Sequence, residues 1–174
     1  MRKVLYILGE LEDSDLQWLL DAGASRAVAS GAEIIREGAP LDDLFIVVAG
    51  ELTVGKGGEE IARLGSGEVV GEMSLLDSRP PSATVTAVEE ALVFAVPQRR
   101  LRSKLVQDAA FAARFYRALC TFLANRLSRT DAMLGRGARL PDEPEDGEIT
   151  PDALSNVALA GARFDWFLQR VRNG

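Results

Sequence analysis

At its centre the chain reads Gly65-Ser66-Gly67-Glu68-Val69-Val70-Gly71-Glu72-Met73-Ser74-Leu75-Leu76. A glycine-led loop that enters a one-turn helix offers free backbone N–H groups and the positive end of a helix dipole, which suits a phosphate. The carboxylate of Glu72 follows the loop at once, and a turn and a predicted strand come next. Donors and an acceptor therefore converge from two sides, so the stretch predicts a site for a phosphate-bearing ligand.

Short β-prone runs surround this stretch between about residues 25 and 97. Glycine and proline separate the runs, at positions where a positive φ or a close backbone approach is needed. Repeated short strands with such punctuation predict a sandwich, barrel or jelly roll, and Lys56-Gly57-Gly58-Glu59 predicts a hairpin turn. The predicted strands are 26–29, 33–36, 44–48, 51–54, 60–63, 83–87 and 92–96.

Helical periodicity flanks the β-rich region on both sides. Ser14-Asp15-Leu16-Gln17 has the spacing of a capping box and predicts a helix at 14–23. After a short helix at 97–106, Asp108 is predicted to cap a longer helix that runs to about Leu134. One apolar stripe of this helix is expected to pack on the barrel, and its distal part could pair with a second copy. Its apolar stripe recurs every three or four residues and consists of Phe111, Phe115, Leu119, Phe122, Leu123, Leu127 and Leu134.

The chain changes character after residue 134. Acidic residues and proline dominate 141–148, which predicts an acidic flexible linker over 135–149. Thr150-Pro151 then has the pattern of the N-cap and first turn of an amphipathic helix within 150–174, which docks on its own barrel, on a dimer mate or on another protein. The predicted organisation is a folded domain at 1–134, the linker and this helix.

Composition restricts the function. The chain has no histidine and one cysteine, Cys120, which falls among apolar residues and is predicted to be a buried packing thiol. Nucleophile–base pairs and common metal sites lack their parts, so neither catalysis nor a bound metal is expected. The net charge of -6 would repel a polyanion. The basic cluster of Arg99, Arg100, Arg102 and Lys104 is interpreted as a solvated helix face.

Two further expectations concern location and DNA. No apolar run approaches the roughly 20 residues of a membrane span, and no signal peptide is recognisable, so a cytoplasmic location without membrane contact is predicted. About 40 residues follow the long helix, and an acidic linker with one helix cannot supply a recognition helix and its supports. Direct DNA binding is therefore not expected.

The central stretch resembles the cassette of the cyclic nucleotide-binding domain family, the β-roll family of catabolite activator proteins. That cassette runs Gly-Glu-hydrophobic-small-Leu and, after several variable residues, Arg-Ser/Ala-Ala-Thr-Val. The likeness extends to 31–38, to 43–54 and to the long helix, and thus covers roughly 10–134. It implies a mainly β fold with flanking helices, namely a double-stranded β-helix (jelly roll) followed by a long C-terminal helix, in a stand-alone member without a DNA-binding domain.

The resemblance also implies roles for single residues. Glu72 would accept a hydrogen bond from a ribose 2′-hydroxyl, while Gly71 and Met73 would give close backbone approach and N–H donors. Ser82 and Ala83 would donate to the phosphate. Thr130 would offer a hydroxyl to the purine, or else be an ordinary helix-surface threonine.

One position departs from the family pattern. Where the family has its phosphate-pairing arginine, this chain has Pro81, which carries neither a charge nor an N–H. Arg79, two residues earlier, is the obvious substitute, and otherwise it is a solvated turn residue. The loss of a charge-assisted hydrogen bond lowers affinity about ten- to a hundredfold.

Two functions remain open on this basis. The first is a regulatory sensor that binds cAMP or cGMP as its ligand, with no other cofactor, and signals through its C-terminal helix. The second is a degenerate β-roll that binds no nucleotide and acts as a dimerisation and protein-docking scaffold. Both predict a homodimer and a protein partner.

Overall fold

The computed structural model of the protein describes residues 10–77, 79–133, 162–163 and 165–171. Its strands are β1 (Ala24–Val28), β2 (Glu33–Ile35), β3 (Asp43–Ala49), β4 (Leu52–Lys56), β5 (Glu59–Leu64), β6 (Val69–Val70), β7 (Thr84–Ala87) and β8 (Ala91–Pro97). Its helices are α1 (Asp13–Ala22), α2 (Glu72–Asp77), α3 (Gln98–Gln107) and α4 (Ala109–Met133), and residues 162–163 and 165–171 are also helical. Within these residues no helix has the length and apolar character needed to cross a membrane.

Two antiparallel sheets enclose the barrel core. One sheet has the strand order β1-β8-β3-β6 and the other β2-β7-β4-β5. On β3, Phe45 and Val47 are buried between the sheets, whereas Leu44 and Ile46 are buried on the opposite face, beneath the helices. A strand that is covered on both faces needs apolar residues at every position, which explains its unbroken apolar run. The predicted mainly β fold, a jelly roll with flanking helices and a long helix after it, is confirmed.

The turns match the sequence with one exception. Gly57 and Gly58 have φ values of +60° and +88° and form the two-residue turn between β4 and β5, so the predicted hairpin is confirmed. The predicted strands did not include Val69 and Val70, which lie in the glycine-led loop before Gly71 and pair with β3 as β6. A two-residue strand is too short to produce a recognisable alternation of apolar and polar side chains.

Helix α1 begins near the predicted residue but has a different cap. The N–H of Glu12 donates to Asp15 Oδ2 at 2.9 Å, so Ser14 is not the capping residue. Asp15 is buried and also accepts hydrogen bonds of 2.7 and 2.9 Å from Arg114 of α4. Burial acts to raise the pKa of Asp15, but the bonds from Arg114 and Glu12 hold it below the ordinary value. This pair ties α1 to α4.

Helix α4 covers the outer face of the first sheet. Asp108 Oδ1 accepts a hydrogen bond of 2.9 Å from the N–H of Phe111, as the predicted cap requires. The buried residues of the stripe are Phe111, Phe115, Ala118, Leu119 and Phe122. One prediction for this helix is wrong, because Cys120 is exposed. Leu127, which lies in the distal part predicted to be able to pair with a second copy, is 63% exposed. One residue turns a helix by about 100°, which is enough to direct Cys120 away from the face that Leu119 buries.

The helical residues near the C-terminus pack on the same domain. Phe167 is fully buried and meets Phe94 of β8 edge to face, with ring centroids 5.2 Å apart. Ser25 Oγ donates to the carbonyl of Val171 at 2.7 Å. Arg163 donates to Asp13 Oδ1 at 2.8 Å and to the carbonyl of residue 11 at 2.7 Å. Of the three docking places open from the sequence, these residues occupy the one on their own barrel.

Several predictions fall outside the described residues. They concern residues 1–9, the end of the long helix at Leu134, the acidic linker at 135–149 and the start of the final helix at Thr150-Pro151. The division of the chain at 134 and 149 stays a prediction.

Candidate functional site

The cassette begins where β6 passes into α2. Gly71, at this junction, has a φ of +90°, and a Cβ added to it would lie 2.9 Å from the carbonyl oxygen of Asp43 on β3. Only glycine combines this conformation with so close an approach to a neighbouring strand. The backbone can therefore turn sharply at Gly71, which places Glu72 as the first residue of α2.

Glu72 is a buried carboxylate that faces the long helix. Its side chain is 4% exposed, and its Oε1 accepts a hydrogen bond of 2.7 Å from Arg126 Nη1 of α4. Burial raises the pKa of Glu72 above its ordinary value, and nearby Glu68 adds to this, while the charge of Arg126 acts in the opposite direction. The sequence-predicted ribose acceptor thus already has an ionic partner in this structure.

Arg126 connects three parts of the site. Besides Glu72, its Nη2 donates to the carbonyl of Val69 at 2.9 Å and lies 3.6 Å from Glu68 Oε2. Its guanidinium also lies over the ring of Phe122, 4.6 Å from the centroid. Sequence reasoning missed this residue, although a signal was present: Arg126 follows Phe122 by four residues and so occupies the next position of the buried stripe.

Helix α3 holds the cassette from behind. Gln98 is buried, and its Nε2 donates to the carbonyls of Gly71 at 3.2 Å and Asp43 at 3.4 Å. Arg102 Nη2 donates to the carbonyl of Ser74 in α2 at 2.7 Å. The basic cluster is therefore not only a solvated face, because Arg102 satisfies a backbone acceptor of the cassette. Arg100 likewise donates to the carbonyls of residues 21 and 22 at the end of α1.

The remaining predicted site residues lie around the rim. Ser82 is exposed and Ala83 is half-buried, directly before β7, and the side chain of Met73 is 55% exposed. Arg79 is 81% exposed, and its Nε lies 2.7 Å from Asp77 Oδ2, so it points along its own turn. Thr130 lies in α4, and its side chain falls outside the described part of the chain.

The structure brings Gly71 and Glu72 together with Arg126, and leaves ligand contacts as predictions. Ser82 and Ala83 lie directly before β7, where the chain enters the second sheet after the cassette. Nowhere in the described residues do three acidic or cysteine side chains converge as metal ligands would. The site therefore offers a buried carboxylate, that of Glu72, which can accept hydrogen bonds. The positive charge that balances it, that of Arg126, lies on a different helix, α4.

The fold and this geometry define a β-roll domain with a ligand cassette covered by a long helix. Residues 25–108 match the family model of the cyclic nucleotide-binding domain. These residues are therefore a domain of that family, and the resemblance read from the sequence is confirmed.

Individual relatives agree with this assignment. The chain is 39% identical over 87 residues to the cAMP-dependent protein kinase regulatory subunit of Yarrowia lipolytica, over 49% of this chain and 23% of that protein. The catabolite activator protein of Thermus thermophilus is 28% identical with a TM-score of 0.61, covering 75% of this chain and 62% of that one. A cyclic nucleotide-binding domain from Methylobacillus flagellatus has the same fold, with a TM-score of 0.69 at 22% identity, covering 80% of this chain and 85% of that one.

The coverage limits what these relatives say about the whole protein. The chain spans about a quarter of the length of the Yarrowia lipolytica relative, which is named as a regulatory subunit. The shared part thus amounts to one domain, and the activity and partners of the whole relative are not carried over to this chain.

Proposed function

We propose that the chain is a ligand-responsive regulatory module. A nucleotide with a free ribose 2′-hydroxyl, for which the family implies cAMP or cGMP, binds at Glu72 and acts on α4. The observation that carries this proposal is the 2.7 Å ion pair between Glu72 of the cassette and Arg126 of the long helix. A ligand that hydrogen-bonds to Glu72 necessarily acts on a group that also holds α4.

The chemistry of the pair supports such a response. An ionised carboxylate accepts about four hydrogen bonds, so a ribose hydroxyl can share Glu72 with Arg126 or displace it. Sharing would tighten the contact between cassette and helix, and displacement would loosen it. In either case the contact between α4 and the cassette differs in strength between the ligand-bound and ligand-free states. Such a difference is required for a ligand to shift a conformational equilibrium.

Calorimetric titration of the full chain with cAMP and with cGMP tests the proposal, together with amide hydrogen exchange of α4. We expect saturable binding, altered protection in α4, and loss of both in Glu72→Gln. Glu59→Gln is the matched control, because Glu59 is exposed in the hairpin between β4 and β5. No heat and no change in thermal stability up to millimolar concentrations of either nucleotide would remove cAMP and cGMP as the ligands of this module.

The second candidate function is a dimerisation and docking scaffold that binds no nucleotide. Pro81 at the expected arginine position favours it, as does the outward ion pair of Arg79 with Asp77. Deletion of residues 150–174 tests the docking part. A truncated chain with unchanged partners and an unchanged oligomeric state would contradict it.

Both candidate functions include a homodimer, and we propose that α4 forms the dimer interface. Ala113, Tyr116, Cys120 and Leu127 are all exposed and follow one another at intervals of three, four and seven residues, as in a helix-pairing seam. A two-fold parallel pairing would bring Cys120 opposite its mate.

Mild oxidation is then expected to give a disulfide-linked dimer, and Cys120→Ser is expected to stay dimeric by sedimentation without that link. Sedimentation as a monomer at every concentration would contradict the pairing. A cytoplasmic location and the lack of direct DNA binding remain predictions.

A further inference from the structure

The two ends of the cassette differ in charge. At the end formed by residues 79–83, Pro81 is uncharged, and Arg79 is 81% exposed and paired with Asp77. The carbonyl of Pro81 accepts a hydrogen bond of 2.8 Å from the N–H of Gly38, which fixes the backbone at this position. A ligand phosphate here would meet mainly the N–H groups of Ser82 and Ala83.

The positive charge at the other end is already balanced. Arg126 donates to Glu72 and to the carbonyl of Val69, at 2.7 and 2.9 Å. Using it for a phosphate would break this pair and leave the carboxylate of Glu72 buried without a counter-ion. Removing an ion from water without a partner of opposite charge is unfavourable, so an anionic ligand binds this cassette less well than a neutral one.

An uncharged ribonucleoside avoids this cost and offers more donors. In a 3′,5′-cyclic nucleotide the 3′-oxygen is esterified, so only the 2′-hydroxyl of the ribose can donate. A nucleoside keeps both hydroxyls, and the adjacent pair matches the two acceptor oxygens of a carboxylate such as Glu72. We infer that the cassette selects an uncharged ribonucleoside over the cyclic nucleotide of the same base. This inference rests on the proposed ligand site at Glu72.

Calorimetric titration of the full chain with matched pairs tests the inference: adenosine against cAMP, and guanosine against cGMP. We expect at least one nucleoside to bind about tenfold more tightly than its cyclic nucleotide. We also expect 2′-deoxyadenosine to bind less tightly than adenosine. Cyclic nucleotides that bind as tightly as, or more tightly than, both nucleosides would overturn the inference and leave the ligand site standing. Binding of none of the four up to millimolar concentration would overturn both.

A pair of variants at position 81 tests the physical cause. Pro81→Arg supplies the missing cation, and we expect it to raise the affinity for cAMP about tenfold with little effect on adenosine. Pro81→Gln removes the proline without adding a charge and is expected to change neither affinity. Equal gains for cAMP in the two variants, or a gain for adenosine as large as that for cAMP, would contradict the role of charge. The comparison of ligands on the unmodified chain needs neither variant to fold.

Discussion

Replacement of Arg126 by methionine removes the charge that α4 places against Glu72 while keeping much of the side-chain volume. Breaking a buried ion pair from one side costs about 3–5 kcal/mol, because the other charge is left buried and unpaired. Arg126 is itself 33% exposed, so we reduce the expected loss in the free energy of unfolding to about 2–4 kcal/mol. Urea denaturation followed by circular dichroism at neutral pH measures this loss.

The stability loss caused by Arg126→Met should depend on pH in a defined direction. The pKa of Glu72 is raised in the folded state, so its contribution to stability is present below the ordinary pKa and is lost as the pH rises through the raised one. Without Arg126 that pKa rises further. The difference between the original protein and Arg126→Met should therefore widen as the pH increases from the acidic range, and narrow when acid protonates Glu72.

Arg117→Met is the matched control, since it removes the same charge from the same helix. Arg117 is 75% exposed and pairs with Glu10 at 3.0 Å, and such surface pairs contribute at most about 1 kcal/mol. Combining Arg126→Met with Glu72→Gln should recover about 1–3 kcal/mol relative to additive losses. A loss in Arg126→Met no larger than in the control, or strictly additive effects in the double variant, would refute the assignment of this pair.

Two further predictions concern the turn and the C-terminal helix. Gly71→Ala should lose about 1–3 kcal/mol more stability than Gly31→Ala. Both glycines have a positive φ, but only at Gly71 would an added Cβ clash with a neighbour, the carbonyl oxygen of Asp43. Equal losses in the two variants would show that this contact can relax. In urea denaturation, Phe167→Ala should lower the free energy of unfolding by about 3–5 kcal/mol, because Phe167 is fully buried. Gln169, on the same helix, is exposed, so Gln169→Ala should change it little. Similar small losses in both variants would mean that the helix is not docked in solution.

Local patterns predicted a sandwich, barrel or jelly roll because they depend on near neighbours in the chain, and the resemblance to a known family narrowed this to the β-roll. The Gly57-Gly58 turn and the Asp108 cap are fixed within four residues, and the structure has both. The apolar run at Leu44–Val48 signalled a strand without showing that both its faces are covered. That property arises from the helices packed outside the sheet.

The errors arise where burial depends on a distant partner. Cys120 lies among apolar residues in the sequence, yet it faces away from the sheet. The direction of a side chain on a helix is set by its angular position around the helix axis and not by the hydropathy of its neighbours in sequence. The position of Arg126 in the buried stripe is visible in the sequence, but its role follows only from Glu72, which lies 54 residues away in the chain and pairs with it. Arg102 likewise needs the carbonyl of Ser74 to explain its position.

The cassette is held between two consecutive helices, which constrains how it can move. Gln98 and Arg102 of α3 donate hydrogen bonds to backbone carbonyls of the cassette, and Arg126 of α4 pairs with the carboxylate of Glu72. The two helices are joined at Asp108, which Lys104 contacts at 2.8 Å. A shift of α2 must therefore either leave buried acceptors unsatisfied, at about 1–3 kcal/mol each, or carry α3 and α4 along. Movement of the helices with the cassette is the less costly alternative, so the same contacts that stabilise this structure also couple the position of the cassette to that of the long helix.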